Sequence, residues 1–224
     1  MIKYNLIRSK RKTIAIHIVD GELAVKASLK MPQADIDKFV NSKKSWIDKN
    51  LSNSIVKKEQ KESFALNYGD SILLMGKSYF IIGRQGSSAG FDGRCFFVPE
   101  DLSSEKIKQL IINTYKAFAK NYILSRVIVF ADKMSLEPKS AKITSAAARW
   151  GSCSSKGCLN FSWRLVMADE DVVDYLVVHE LAHLKVMNHS KKFWVIVQNV
   201  LPNYKVMQAK LRILSKKLSV ENWS

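Results

Sequence analysis

Alternating apolar positions mark the first part of the chain. Isoleucines at 14, 16 and 18 share one face of an extended segment over 13–19, and Asp20-Gly21 supplies a tight-turn signal before Leu23-Ala24-Val25-Lys26-Ala27. Period-two patterning on both sides of such a dipeptide predicts a β-hairpin. His17 falls on the face opposite the isoleucines and reads as a surface residue. The rhythm then changes: Ile36, Phe39, Val40, Trp46, Ile47 and Leu51 recur near helical spacing, predicting an amphipathic helix over 33–51. The polar stretch 52–63 reads as a solvated continuation or a linker. Two strands around Gly76 are predicted within 72–83, then a Gly/Ser-rich loop over 83–93 and one more strand at 94–98.

Pro99-Glu100-Asp101 is the strongest punctuation in the sequence and predicts a division into a β-rich portion, 1–99, with one or two helices, and a second portion, 100–224. Past it, Ile107, Leu110, Ile111, Tyr115, Phe118, Tyr122 and Ile123 step by three and four, predicting a long helix over 103–134. Strands are expected at 142–144 and 159–166, around a loop of Gly, Ser and Cys. A helix then starts with Asp169 as N-cap, where Glu170 and Asp171 favour the positive end of its dipole. Helices over 190–201 and 203–218 complete the pattern, and no internal repeat is present. Strands and helices in separate runs make this an α+β chain.

Composition narrows the setting. No run reaches the ~18 to 20 apolar residues of a membrane span, and Arg8-Ser9-Lys10-Arg11-Lys12 interrupts any secretory pattern at the start. Three cysteines, Cys95, Cys153 and Cys158, are too few for a disulfide framework. A cytoplasmic protein with ordinary thiols and no membrane partner is expected. The formal net charge of +16 is spread along the whole chain. Such a field favours polyanions and leaves nucleic acid open as a partner, although no DNA-reading motif is present.

The chemistry is concentrated in His179-Glu180-Leu181-Ala182-His183. Histidines four apart on a helix project from one face and can share one ion, while Glu180 stands beside that ion, where it can accept a proton from water. The flanking Val172, Val173, Leu176, Val177, Val178 and Leu181 make the helix apolar nearly all round. Two imidazoles and a carboxylate inside it carry a desolvation cost that metal ligation offsets. A catalytic zinc commonly takes three protein ligands. His189, six residues past His183, is the one remaining histidine of this half. Metzincins have the same interval, with a glycine at the position held here by Val186, so the turn is expected at Met187-Asn188, Asn tolerating a left-handed backbone.

Arg149 and Arg164 are candidates for stabilising an oxyanion or orienting a substrate carboxylate, or for a structural role, pairing with Asp or Glu and stacking on Trp150 or Trp163. Asn160 is a further candidate substrate contact, and the strand over 159–166 can serve as an edge that pairs with an extended peptide.

Arg149-Trp150-Gly151-Ser152-Cys153-Ser154, Asn160-Phe161-Ser162-Trp163-Arg164-Leu165, the helix motif, Asn188-His189-Ser190 and Phe193-Trp194 together closely resemble the YgjP-like metallopeptidases, relatives of the SprT-like zincins. The resemblance extends more weakly to Arg11-Lys12-Thr13-Ile14, Asp20-Gly21 and Trp46-Ile47. It implies an α+β zincin-like metallopeptidase domain with an HExxH active-site helix behind a β-rich N-terminal portion. It also implies Zn2+ on His179, His183 and His189, Glu180 as catalytic base, and a peptide or protein substrate. Two other readings keep the metal: hydrolysis of nucleoside triphosphates such as UTP, and proteolysis of proteins bound to DNA. Neither a P-loop pattern nor a carboxylate cluster suited to Mg2+ is present. Oligomeric state is not legible.

Overall fold

The computed structural model describes residues 2–223, and these divide into two compact units. The first runs to Phe64 and includes Leu218–Asn222; the second comprises Ala65–Lys217 with Trp223.

In the first unit, strands β1 (Asn5–Ser9), β2 (Ala15–Val19) and β3 (Glu22–Ser28) form a sheet of order β1-β3-β2, with β1 parallel and β2 antiparallel to β3. Asp20 and Gly21 have φ of 50° and 81°, the doubly left-handed turn that a two-residue hairpin demands. His17 is exposed, as its position opposite the isoleucines implied. Alternation along β3 buries Leu23, Val25 and Ala27 against Ile36 and Val40 of α1 (Gln33–Ser42) and Ile47 of α2 (Lys44–Glu62). The helix expected over 33–51 is thus two helices, broken at Lys43, whose N–H turns back to the Val40 carbonyl. The stretch from 52 continues α2 to Glu62 rather than acting as a linker.

The second unit carries two sheets. Strands β4 (Ser71–Leu74), β5 (Lys77–Arg84), β6 (Gly90–Phe91) and β7 (Phe96–Pro99) have the order β4-β5-β7-β6. The long helix α3 (Ser104–Met134) packs on β6 and β7. The compact units therefore part at Phe64 and not at Pro99, because the residues after Pro99 return immediately to cover the sheet before it. Tyr115 of α3 is fully buried, stacks on Trp163 at 5.6 Å, meets the edge of Trp223 at 5.7 Å, and donates its hydroxyl to the Leu73 carbonyl at 2.6 Å.

The other sheet comprises β8 (Ser140–Thr144), β9 (Gly151–Cys153) and β10 (Cys158–Ser162) in the order β8-β10-β9. The strand expected over 159–166 ends at Ser162 and gives way to a 3-10 turn, Trp163–Met167. That strand is central, flanked by β8 and β9, so it offers no edge to a substrate; β8 and β9 are the edges, and β9 is the one beside the histidines. Helices α4 (Glu170–Ala182), α5 (Lys191–Val200) and α6 (Tyr204–Leu218) follow. Asp169 stands at the start of α4 but makes no side-chain cap bond; it pairs with Lys210 at 2.8 Å, which also holds Asp171. Arg126 of α3 grips Asp174 of α4 with two bonds of 2.6 and 2.8 Å, fixing the rotation of α4. None of the helices among the described residues is long and apolar enough to cross a membrane.

Candidate metal centre

Helix α4 is apolar on nearly every side, with Val172, Val173, Leu176, Val177, Val178 and Leu181 all buried. That packing holds the rotation of the helix, and with it the two imidazoles one turn apart. His179 is half-buried and His183 buried. After Ala182 the chain tightens: the N–H groups of Lys185 and Val186 both bond to the Ala182 carbonyl, and the backbone reverses to bring His189 back. No left-handed residue is used there; Asn188 acts through its side chain, whose oxygen accepts the Ser190 N–H at 3.2 Å at the entrance to α5.

The ligand atoms of His179, His183 and His189 lie within 4.8 Å of one another, forming the one group of this kind among the described residues. The Nε2 atoms of His179 and His189 are 3.1 Å apart. Two ligands at tetrahedral angles on Zn–N bonds of about 2.0–2.1 Å would be separated by roughly 3.3 Å. His183 Nδ1 lies 3.1 Å from the Val186 carbonyl, so this nitrogen carries the proton and Nε2 keeps its lone pair for a ligand role. Val186, where a metzincin has glycine, thus contributes its carbonyl. Burial holds His179 neutral down to about pH 3, with the neighbouring imidazoles adding to the effect, and lowers His183 as well. Converging neutral imidazoles are what a divalent cation requires, and these residues fit one.

Phe193 of α5 lies 4.9, 4.5 and 4.8 Å from the three rings, and Trp194 flanks His179 and His189. Aromatic walls on this side leave an open cleft of about 290 Å³ on the other, bounded by Gly151, Ser152 and Cys153 of β9.

Glu180 is 4 % exposed, and its Oε2 has no hydrogen-bond partner among the described residues. Burial raises its pKa from 4.5 to about 7, with Arg149 opposing the shift. Between those values the folded, metal-free protein holds a proton that the unfolded chain has released. The stabilisation this provides is complete below about pH 4.5 and is lost as pH rises through about 7. His179 behaves oppositely: its contribution is complete above 6.5 and is lost as pH falls toward about 3. From 4.5 to 6.5 the two trends cancel. In metal-free Glu180→Gln only the histidine trend remains. Its stability relative to wild type should therefore climb between pH 4.5 and 7, by on the order of 3 kcal/mol. Urea unfolding of both proteins across pH in the presence of chelator measures the difference; a constant difference contradicts the assignment.

Gly151 was legible only as part of a motif, yet it sits directly on the Glu180 carboxylate. A Cβ placed there would lie 2.5 Å from Glu180 Oε1 and 2.8 Å from its Cγ. Arg149 and Asn160 line a second cavity beyond β9. Arg164 has a different place: it donates to the carbonyls of Ser145, Ala146 and Trp223 and lies over the Trp163 ring at 4.7 Å. Its guanidinium ties together the end of β8, the 3-10 turn and Trp223; the expected stacking on Trp163 is present, but its partners are backbone carbonyls where an Asp or Glu was expected.

A helix bearing two histidines one turn apart, a third returned by a short loop and a buried carboxylate beside them belong to the metal-dependent hydrolases of the HExxH class. Within that class, the family profile described as "YgjP-like, metallopeptidase domain" matches residues 12–213, and the chain belongs to this family. It is a metal-dependent peptidase by family. Two solved structures overlap it in part: the zymogen of Pyrococcus abyssi abylysin, at 24 % identity over 45 % of this chain and 97 % of that one with a TM-score of 0.38, and the zymogen of Methanocaldococcus jannaschii jannalysin, at 24 % over 42 % and 95 % with a TM-score of 0.37. No curated protein sequence matches the chain.

Proposed function

We propose that this chain is a zinc peptidase, with His179, His183 and His189 as zinc ligands and Glu180 as general base. The observation carrying the proposal is the convergence of three imidazole nitrogens within 4.8 Å beside a buried, unpartnered carboxylate. An all-nitrogen donor set without carboxylate oxygens suits Zn2+ over Mg2+ or Ca2+. Zinc bound there supplies Lewis acidity, polarising a carbonyl and acidifying water.

The remaining work falls to the chain. Glu180 takes the proton of the attacking water on a carboxylate oxygen and delivers it to the leaving amine. Edge strand β9 offers unpaired backbone groups along the cleft, where an extended peptide can be held by main-chain hydrogen bonds. Met187 and His189 line the same cleft.

Purified protein should contain one zinc per chain. Chelation should lower stability by about 4 kcal/mol at a free zinc concentration a thousandfold above Kd, a fall on the order of 10 °C in Tm. Zinc should restore it and magnesium should not. Thermal unfolding with and without chelator tests this, and an unchanged Tm together with zinc-free protein removes the metal. Turnover of casein and of UTP, measured side by side, tests the substrate: chelator-sensitive casein cleavage supports the peptidase, and hydrolysis of UTP alone replaces it.

A further inference from the structure

Behind β9 lies a second cavity of about 210 Å³ that shares Gly151 and Ser152 with the metal cleft. Its other walls come from Thr144, Arg149, Asn160 and Ser162. The lining contains no carboxylate, and Arg149 is its one cation. Some of the polar groups are already engaged: Ser162 donates its hydroxyl to the Ala146 carbonyl at 2.8 Å, and Thr144 donates to the Phe161 carbonyl at 3.3 Å. Three donors are left. Asn160 Nδ2 meets only Ser152 Oγ, at 3.5 Å, the limit of a hydrogen bond. Arg149 is exposed and, among the described residues, forms neither an ion pair nor a hydrogen bond. It is nevertheless near enough to Glu180 for the two charges to act on one another.

From this arrangement we infer that the cavity is a carboxylate subsite, in which Arg149, with Asn160 and Ser152, binds an anionic group of the peptide next to the scissile bond. The inference rests on the peptidase reading and gives it a substrate class. A planar guanidinium fork matches a carboxylate with two parallel bonds, and the amide and hydroxyl supply further donors to the same group. The volume lies below the ~300 Å³ at which pockets begin to enclose drug-sized ligands, so one carboxylate-bearing group is of the right order. The net charge of +16 draws acidic peptides toward the whole particle. Two sources supply the same chemistry: an acidic side chain, which makes the enzyme an endopeptidase with acidic preference, or the chain terminus, which makes it a carboxypeptidase.

Three hydroxamates separate these outcomes, because a hydroxamate binds the metal without being turned over. One carries a Glu amide beside the chelating group, one a Gln with a free terminal carboxylate, and one a Gln amide. Their Kd values are measured by calorimetry on zinc-loaded wild type, R149Q and R149K, with zinc content determined for each. In the wild type, one of the two carboxylate ligands should bind at least tenfold more tightly than the Gln amide. R149Q should lose that gain while binding the Gln amide unchanged, and R149K, which keeps the charge without the fork, should retain part of it. Equal affinities in the wild type, a preference that survives R149Q, or an equal weakening of all three ligands each overturn the subsite. So does a lack of binding by all three to zinc-loaded protein. Preference for a carboxylate in a protein that leaves casein intact keeps the subsite and removes the peptidase reading, so the two fail separately.

Discussion

Glu180→Gln is expected to keep one zinc per chain and to lose about 10²- to 10⁴-fold in peptide turnover. The substitution is isosteric, so neither the packing of α4 nor the three imidazoles are disturbed; what disappears is the ability to take a proton. The carboxylate is well placed for a large effect. It is buried, adjacent in sequence to His179, and free of any hydrogen bond at Oε2 that would compete for the proton. Metal content and kcat measured on the same preparation decide the matter. Full turnover in the variant would show that another group is the base, whereas loss of zinc would make the residue a structural support of the site.

The second large effect is expected one strand away. Gly151 lies in β9 with an ordinary negative φ, so alanine is acceptable to the backbone, and the conflict is wholly with its neighbour. The added methyl would stand 2.5, 2.8 and 2.9 Å from Oε1, Cγ and Cδ of Glu180, well inside contact distance for all three atoms. Helix α4 cannot retreat, because its other faces are packed with buried valines and leucines and Arg126 clamps Asp174. The carboxylate itself must therefore shift. A displacement of about 1 Å costs on the order of 10²-fold in rate, and overpacking adds a loss of about 1–3 kcal/mol in stability. Gly151→Ala should thus bind zinc normally, melt earlier and turn over poorly at every pH. Wild-type kcat in this variant would mean that Glu180 has room the structure does not give it.

The parts legible in the sequence are those written in local periodicity. The long α3 is announced by apolar residues at steps of three and four, the β2–β3 hairpin by alternation around Asp20-Gly21, and the ligand helix by HExxH within an apolar run. His189 was reachable because few histidines exist to choose from. What escaped depends on partners distant in the chain. Strand β9 is three residues, Gly-Ser-Cys, with no apolar alternation, and becomes a strand only because Leu159 and Asn160 lie opposite Cys153 and Ser152. Strand β1, Asn-Leu-Ile-Arg-Ser, sets two apolar residues side by side instead of alternating, and pairs in parallel with β3 beyond the intervening β2, so no short window reports it. Pro99 punctuates the chain without dividing it, since α3 folds back over β7. Within the site, residue identities were readable, but which arginine lines the second cavity was not: Arg164 and Arg149 differ in surroundings that only the fold creates.

The three histidines also differ in how firmly they are anchored. His179 lies in α4 and His183 caps its end, both against the packed core, so parting either from an ion would mean moving that helix or straining a packed rotamer. His189 rides on an exposed turn. A metal held by His179, His183 and His189 would then part first from His189, and its exchange with a chelator would be set more by the 187–190 turn than by the helix that names the motif.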